Sequence, residues 1–243
     1  MAGTASARPG PADETLDDLR AEVVACRRCP RLVAWREQVA REKRAAFRDQ
    51  TYWGRPVPGF GDPAAGLLIL GLAPAAHGGN RTGRIFTGDG SGDWLFASLW
   101  RTGFANQPSS TARDDGLALT DCYITAPVKC APPENKPLPS ERDNCAPWLT
   151  AELALLDVRV VVALGAFAWD QALRHLGPVT PKPRFGHGVE APLPGGRVLL
   201  GSYHVSQQNT STRKLTEEML DAVFLRAREL LKSKIRRDGV AME

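Results

Sequence analysis

The chain has 243 residues, is 43% hydrophobic and 7% aromatic, and carries a formal net charge of +4. That length can bury a substantial core as one domain with extensions. No apolar run reaches the length of a membrane span, the first residues lack the apolar stretch of a secretion signal, and the charge alone does not diagnose nucleic-acid binding. A cytoplasmic protein without membrane attachment is expected.

Taken in chain order, residues 1–12 are small and proline-rich and read as a disordered tail. The domain is expected over 13–233, with a flexible tail over 234–243. A helix from Glu14 to Val24 delivers the C-x-x-C turn of Cys26 and Cys29, and a basic helix follows from Arg31 to Arg48. This stretch holds Arg27, Arg28, Arg31, Arg36, Arg41, Lys43, Arg44, Arg48 and Arg55 against Glu37, Glu42 and Asp49. It fits a phosphate-facing stripe or a solvated helix face laced with i,i+4 pairs. Trp53–Pro63 is a Gly/Pro-rich loop. Short apolar runs at Gly66–Gly71, Cys122–Val128, Val158–Leu164 and Val198–Tyr203 have the character of strands buried on both faces. Helical patterns separate them at Ser91–Arg101, Ser140–Leu156, Phe167–Leu176 and Leu215–Leu231. The alternation predicts an α/β fold, a mostly parallel sheet covered on both sides, and no internal repeat is present.

Four cysteines are spaced for a metal centre. Cys26 and Cys29 form one pair, and Cys130 and Cys145 form a wider one. Thiolates serve iron–sulfur clusters and structural zinc alike, although the second spacing fits zinc ribbons poorly. In a reducing compartment ligation is favoured over bridging. The fold would have to bring the two pairs together and so tie the N-terminal segment to the middle of the chain. Cys122, inside an apolar run, reads as a buried core thiol.

In a parallel sheet the functional loops lie beyond the carboxyl ends of the strands. Three polar, glycine- or proline-punctuated loops follow strands here: GLAPAAHGGNRTGRIFTGD (Gly71–Asp89), VKCAPPENKP (Val128–Pro137) and SYHVSQQNTSTRKLT (Ser202–Thr216). Together with the cysteine spacing they resemble the motifs of the uracil-DNA glycosylase superfamily, and specifically its family 5, the iron–sulfur-containing group of broad specificity. The match runs from about Val24 to the final helix. The resemblance implies a four-stranded parallel sheet flanked by helices, a [4Fe–4S] cluster on Cys26, Cys29, Cys130 and Cys145, and monofunctional excision of uracil and other damaged bases from double-stranded DNA. A monomer, nucleoid-associated through DNA, would follow.

Cleaving an N-glycosidic bond needs an extruded nucleotide, a donor at the departing base and a group that positions water and tolerates a cationic sugar. His204 is the expected donor, with a backbone-satisfied loop histidine as the alternative. Asp89 is expected to orient or deprotonate water and steady the sugar; it equally suits the N-cap of the helix that begins SGDWLFASLW. Asn135, between prolines, would hold water or contact the base edge, or simply make a turn. Phe86 would stack on the extruded ring unless it is a core aromatic. Gly71 and Ala73 would wall the pocket, with His77 and Asn80 touching phosphate or water. Ser206, Gln207, Gln208 and Asn209 suit a loop entering the minor groove, or a surface turn. Most superfamily relatives carry a polar side chain where this chain has Leu72 and Ala73, and family 4 places a base-reading Asn where it has Ala126. Such apolar positions predict relaxed base choice, extending to hydroxymethyluracil, ethenocytosine and hypoxanthine. Other classes stay open: a non-catalytic, DNA-binding iron–sulfur redox sensor, a zinc-stabilised protein, or a small-molecule α/β enzyme using GLAPAAHGG as a phosphate cradle.

Overall fold

A computed structural model describes residues 15–238. The expected tail over 1–12 and the last five residues of the chain lie outside the described residues. The C-terminal helix runs on to Asp238, past the boundary expected at 233.

The four apolar runs become β2 (Leu67–Leu70), β3 (Cys122–Thr125), β4 (Val160–Leu164) and β6 (Arg197–Ser202). They pair in parallel in the order β3-β2-β4-β6, with Leu67 level with Cys122 on one side and Val160 on the other. The sheet has six strands rather than the four expected. Antiparallel edges are added by β1 (Phe60–Gly61) against β3 and by β5 (Glu190–Leu193) against β6. Both escape a pattern reading for physical reasons. The first is two residues long, inside a loop-like segment, and the second carries Pro192, which a sheet tolerates at an edge.

Alternation along each buried strand supplies two cores. Leu67, Ile69, Ile124, Val160, Val162 and Leu200 face one way, onto α4 (Gly90–Arg101) and α8 (Glu217–Asp238). Leu68, Leu70, Tyr123, Val161, Ala163 and Leu199 face the other, onto α1 (Leu16–Ala25), α5 (Pro139–Leu155) and α6 (Ala166–Leu176). Each such aliphatic side chain contributes about 1.5–3 kcal/mol by leaving water. The bare thiol Cys122 is fully buried among them, as expected.

The basic helix ends sooner than its composition predicts. α2 spans Pro30–Glu42, because Lys43 takes a left-handed φ of 58° and closes the last turn onto the Val39 carbonyl. A 3-10 turn over Ala45–Phe47 follows. Two short helices also stand where loops are expected: α3 (Gly79–Thr82) and α7 (Gln207–Ser211). Among the described residues no helix is long and apolar enough to cross a membrane.

Candidate active site

The chain passes from β2 to β3 on one side and to β4 on the other, so the strand order reverses around β2 and leaves a crevice at the carboxyl ends. A cavity of about 370 Å³ lies there, within the usual size range of small-ligand sites. Leu72, Ala73 and Ala75 line it after β2, Phe86, Asp89 and Ser91 around the start of α4, Asn135 after β3, and His204, Ser206 and Gln207 after β6.

Asp89 is the N-cap the sequence offers, and its position also faces the cavity. It caps α4, its Oδ1 accepting from the amides of Ser91 and Gly92 at 3.0 Å each, and it faces the cavity. Burial raises its carboxyl above the ordinary carboxylate value, and those two amides hold the rise in check. Gly78 makes the placement possible: a Cβ there would lie 1.8 Å from Asp89 Oδ2.

His204 follows β6 and stands beside Gly165 at the end of β4, where a φ of 92° favours glycine and a Cβ would make only ordinary contact, 3.4 Å from the His204 Cβ. The Asn209 side chain donates to the His204 carbonyl at 2.8 Å. Its imidazole has no hydrogen-bond partner among the described residues; it meets Phe86 with ring centroids 6.2 Å apart. Burial lowers its pKa, so the ring is neutral at physiological pH and offers one N–H.

Phe86 is buried, lines the cavity and holds φ at 52°, a left-handed conformation that is costly for a bulky side chain. Two glycines over-determine it. A Cβ at Gly71 would meet the ring at 2.9 Å, and one at Gly92 would meet the Phe86 carbonyl oxygen at 1.9 Å. Gly71 therefore positions the aromatic and does not line the cavity, contrary to expectation, whereas Ala73 does line it. Asn135 sits at the rim with φ 57°, so its turn role and its exposure to the cavity coexist.

Other expected contacts are displaced. His77 lines a second, outer groove of about 690 Å³ that shares Ala75, Asp89, Asn135 and Gln207 with the cavity and adds Trp35, Arg44 and Phe47. Its Nδ1 lies 3.0 Å from the Tyr52 hydroxyl, and burial, then Arg44 and Arg81, lower its pKa. Asn80 lines neither space. It is fully buried, and its amide donates to the Arg36 carbonyl at 3.2 Å, tying the loop to α2. Ser206 and Gln207 border the cavity, but 207–211 form α7 rather than a free loop, Gln208 points to solvent and Asn209 turns inward to His204.

Part of the basic stripe is spent on the fold. Arg31 pairs bidentately with Glu141, Arg27 with Glu37, and Arg36 is buried; Arg44 reaches the outer groove. Leu72 and Ala75 line the cavity wall, as expected of the segment after β2, whereas Ser91 on that wall and the spacing glycine Gly78 were not singled out by the sequence. Their signal was the density of small residues beside Asp89.

The four spaced cysteines converge. Cys26 and Cys29, between α1 and α2, Cys130 beyond β3 and Cys145 on α5 line one small enclosed gap, together with Leu32, Arg36 and Asn144. All are free thiols. Among the described residues no group of three or more His, Cys, Asp or Glu side chains closes on a single-ion position. Three of the sulfurs accept hydrogen bonds: Cys130 from Arg36 Nη1 at 2.9 Å, Cys145 from the Lys129 amide at 3.2 Å and Cys29 from Asn144 Nδ2 at 3.7 Å. Burial pushes the Cys130 thiol up to about 11 and Cys145 up to about 12.

The carboxyl ends of the parallel strands present a carboxylate, a neutral imidazole and an aromatic face around one recessed cavity, the ligand crevice of an open α/β sheet. Comparison makes the class specific. The family model described as the uracil DNA glycosylase superfamily matches residues 58–228. The chain is 59% identical over 216 residues to the type-5 uracil-DNA glycosylase of Mycobacterium tuberculosis (strain CDC 1551 / Oshkosh), covering 88% of this chain and 81% of that one. It is 56% identical over 209 residues to the type-5 uracil-DNA glycosylase of Thermus thermophilus, covering 86% and 94%. A type-4 uracil-DNA glycosylase of Archaeoglobus fulgidus is 30% identical over 156 residues. The chain belongs to the uracil-DNA glycosylase superfamily, in its type-5 branch, a family of DNA N-glycosylases.

Proposed function

We propose that the protein excises uracil and other damaged bases from double-stranded DNA by hydrolysing the N-glycosidic bond, and leaves the abasic strand intact. The observation that carries this reading is the pairing of Asp89 and His204 across one recessed cavity floored by Phe86. A base in a duplex reaches such a cavity only by leaving the stack. Phe86 would then support its ring face. The neutral His204 donates a hydrogen bond to the base's carbonyl oxygen as negative charge develops there. Asp89, ionised and oriented by two amides, holds the attacking water and steadies positive charge on the sugar. Asn135 at the rim is placed to share that water. Arg44 and His77 in the outer groove would meet a flanking phosphate, against the carboxylates of Asp93 and Glu134 that line the same groove.

Broad base choice is supported by Leu72 and Ala73, which give the cavity wall no group to pair with a base edge. A site without such pairing discriminates weakly among analogues. Among the described residues no lysine lines the cavity, which accords with simple hydrolysis over lyase chemistry.

We also propose a [4Fe–4S] cluster on Cys26, Cys29, Cys130 and Cys145. The donor set fits: four thiols border one gap, three accept hydrogen bonds, and a buried guanidinium without a carboxylate partner is aimed at one of them. When bound, the cluster would crosslink three separate segments and stabilise the fold. The residues themselves join the start of α2, the loop after β3 and α5, and that loop leads directly to Asn135.

The test is release of free base from single- and double-stranded oligomers carrying uracil, hydroxymethyluracil, ethenocytosine or hypoxanthine. Release of several bases with an uncleaved strand is expected. Strict uracil-only release would overturn the broad range, a β-elimination product would overturn simple hydrolysis, and DNA binding without any release would favour a sensor.

A further inference from the structure

Two cations are buried beside the thiol cage, and only one of them is neutralised. Lys129, 1% exposed, places Nζ 2.6 Å from Glu152 Oε2, and Thr125 donates to the same oxygen. Arg36, 2% exposed, has no carboxylate partner among the described residues. Its Nη1 donates to Cys130 Sγ at 2.9 Å, its Nη2 to the Cys26 carbonyl at 3.2 Å, and its Nε finds no partner. The neighbouring Glu37 is engaged by Arg27 instead.

A guanidinium stays charged at any physiological pH, and an isolated buried charge is strongly disfavoured. Cys130 as a neutral thiol would not compensate it. Four thiolates on a four-iron, four-sulfide core leave a net negative charge on the set, in the place where the guanidinium fork points. Lys129 cannot serve the same purpose, because Glu152 already cancels it.

We propose that Arg36 is the counter-charge of the cysteine-held cluster, a positioning residue that balances the cluster and clamps the Cys26 and Cys130 limbs together. This rests on the cluster reading above. Arg36 also accepts the Asn80 amide on its carbonyl, so the residue that balances the cluster is fastened to the loop carrying Gly78 and Phe86.

The experiment compares wild type with Arg36→Lys, Arg36→Gln and Arg36→Met, each purified without oxygen and checked for folding by far-ultraviolet circular dichroism. Iron and sulfide content, decay of visible absorbance under a ferrous chelator, and reduction potential are measured. Arg36→Gln and Arg36→Met are expected to lose the cluster about tenfold faster than wild type, as outer-shell substitutions at metal sites do. Their potential should fall, because a nearby positive charge favours the more negative, reduced state. Arg36→Lys should recover most of both. Arg36→Gln keeps donors without charge and carries the test should Arg36→Met not fold. Wild-type decay and potential in Arg36→Gln, or no rescue by lysine, would overturn the assignment. A wild type devoid of iron and sulfide would instead overturn the cluster itself.

Discussion

The cavity and the polar interior beside it are made from the same loops but complete their hydrogen bonds differently. In the interior most buried charges among the described residues are closed by an ion pair or, as at Arg81, by hydrogen bonds from every guanidinium nitrogen. Lys129 meets Glu152, and Arg84 Nη2 donates to both Asp115 carboxylate oxygens at 2.8 and 2.7 Å. In the cavity the imidazole of His204 has none, and Asp89 is held on one oxygen only by two backbone amides. Closed pairs fix a shape, whereas groups left open toward a space are free to bind what enters it. The contrast separates scaffold from chemistry, and it can be attacked from both sides.

The largest effect should come from the open groups. Asp89→Asn, which keeps the helix cap, and His204→Ala should each slow base release about a thousandfold, or ~4 kcal/mol of barrier, while thermal stability changes little. The wild-type rate has a matching pH signature. On the proposed mechanism Asp89 acts ionised and titrates above its ordinary 3.8, while His204 acts neutral and titrates below its ordinary 6.5. Release should therefore fall as pH drops through that window and stay level above it. Loss of rate on raising the pH from 7 to 8 would contradict the assignment of the neutral imidazole.

Next in size is Gly78→Ala. The added methyl would land 1.8 Å from Asp89 Oδ2, so the carboxylate must swing away. Displacing a catalytic group by about an ångström costs about a hundredfold. Because the substitution acts through Asp89, it should add little in an Asp89→Asn background. Additive losses in that double-mutant cycle would show that Gly78 serves the loop and not the carboxylate.

Much of this was legible in the sequence, and the limits of legibility are physical. The four buried strands declared themselves as unbroken apolar runs, and the glycine-bounded loops after them led to Asp89, Phe86, Asn135 and His204. The cysteine spacing led to four thiols that share one gap. What stayed hidden depends on direction. Asn80 and Asn209 have the composition of surface turn residues but turn inward, onto the Arg36 and His204 carbonyls. Arg36, Arg84 and Lys129 look like solvated cations, and only the fold reveals that each is buried. Edge strands as short as Phe60–Gly61 leave no periodicity to read.

The smallest effect belongs to the closed side. At Asp115 burial alone would raise the carboxyl, but Arg84 and the amides of Leu117, Thr111 and Ala112 outweigh it and hold the pKa at about 2. Arg84, itself buried, also donates to Thr87 and thereby braces the turn between Phe86 and Asp89. A carboxylate depressed from 3.8 contributes its stability in full above that value and loses it as pH falls toward about 2. The shift corresponds to about 2 kcal/mol. Asp115→Asn should lower the unfolding free energy by that amount at neutral pH, and urea titrations should show the gap closing as pH falls toward 2. Base release per folded molecule should change far less than in the Asp89 and His204 variants. A gap that persists unchanged in acid would place the loss in packing rather than in the ion pair. A large fall in rate would erase the division between a closed scaffold and an open site.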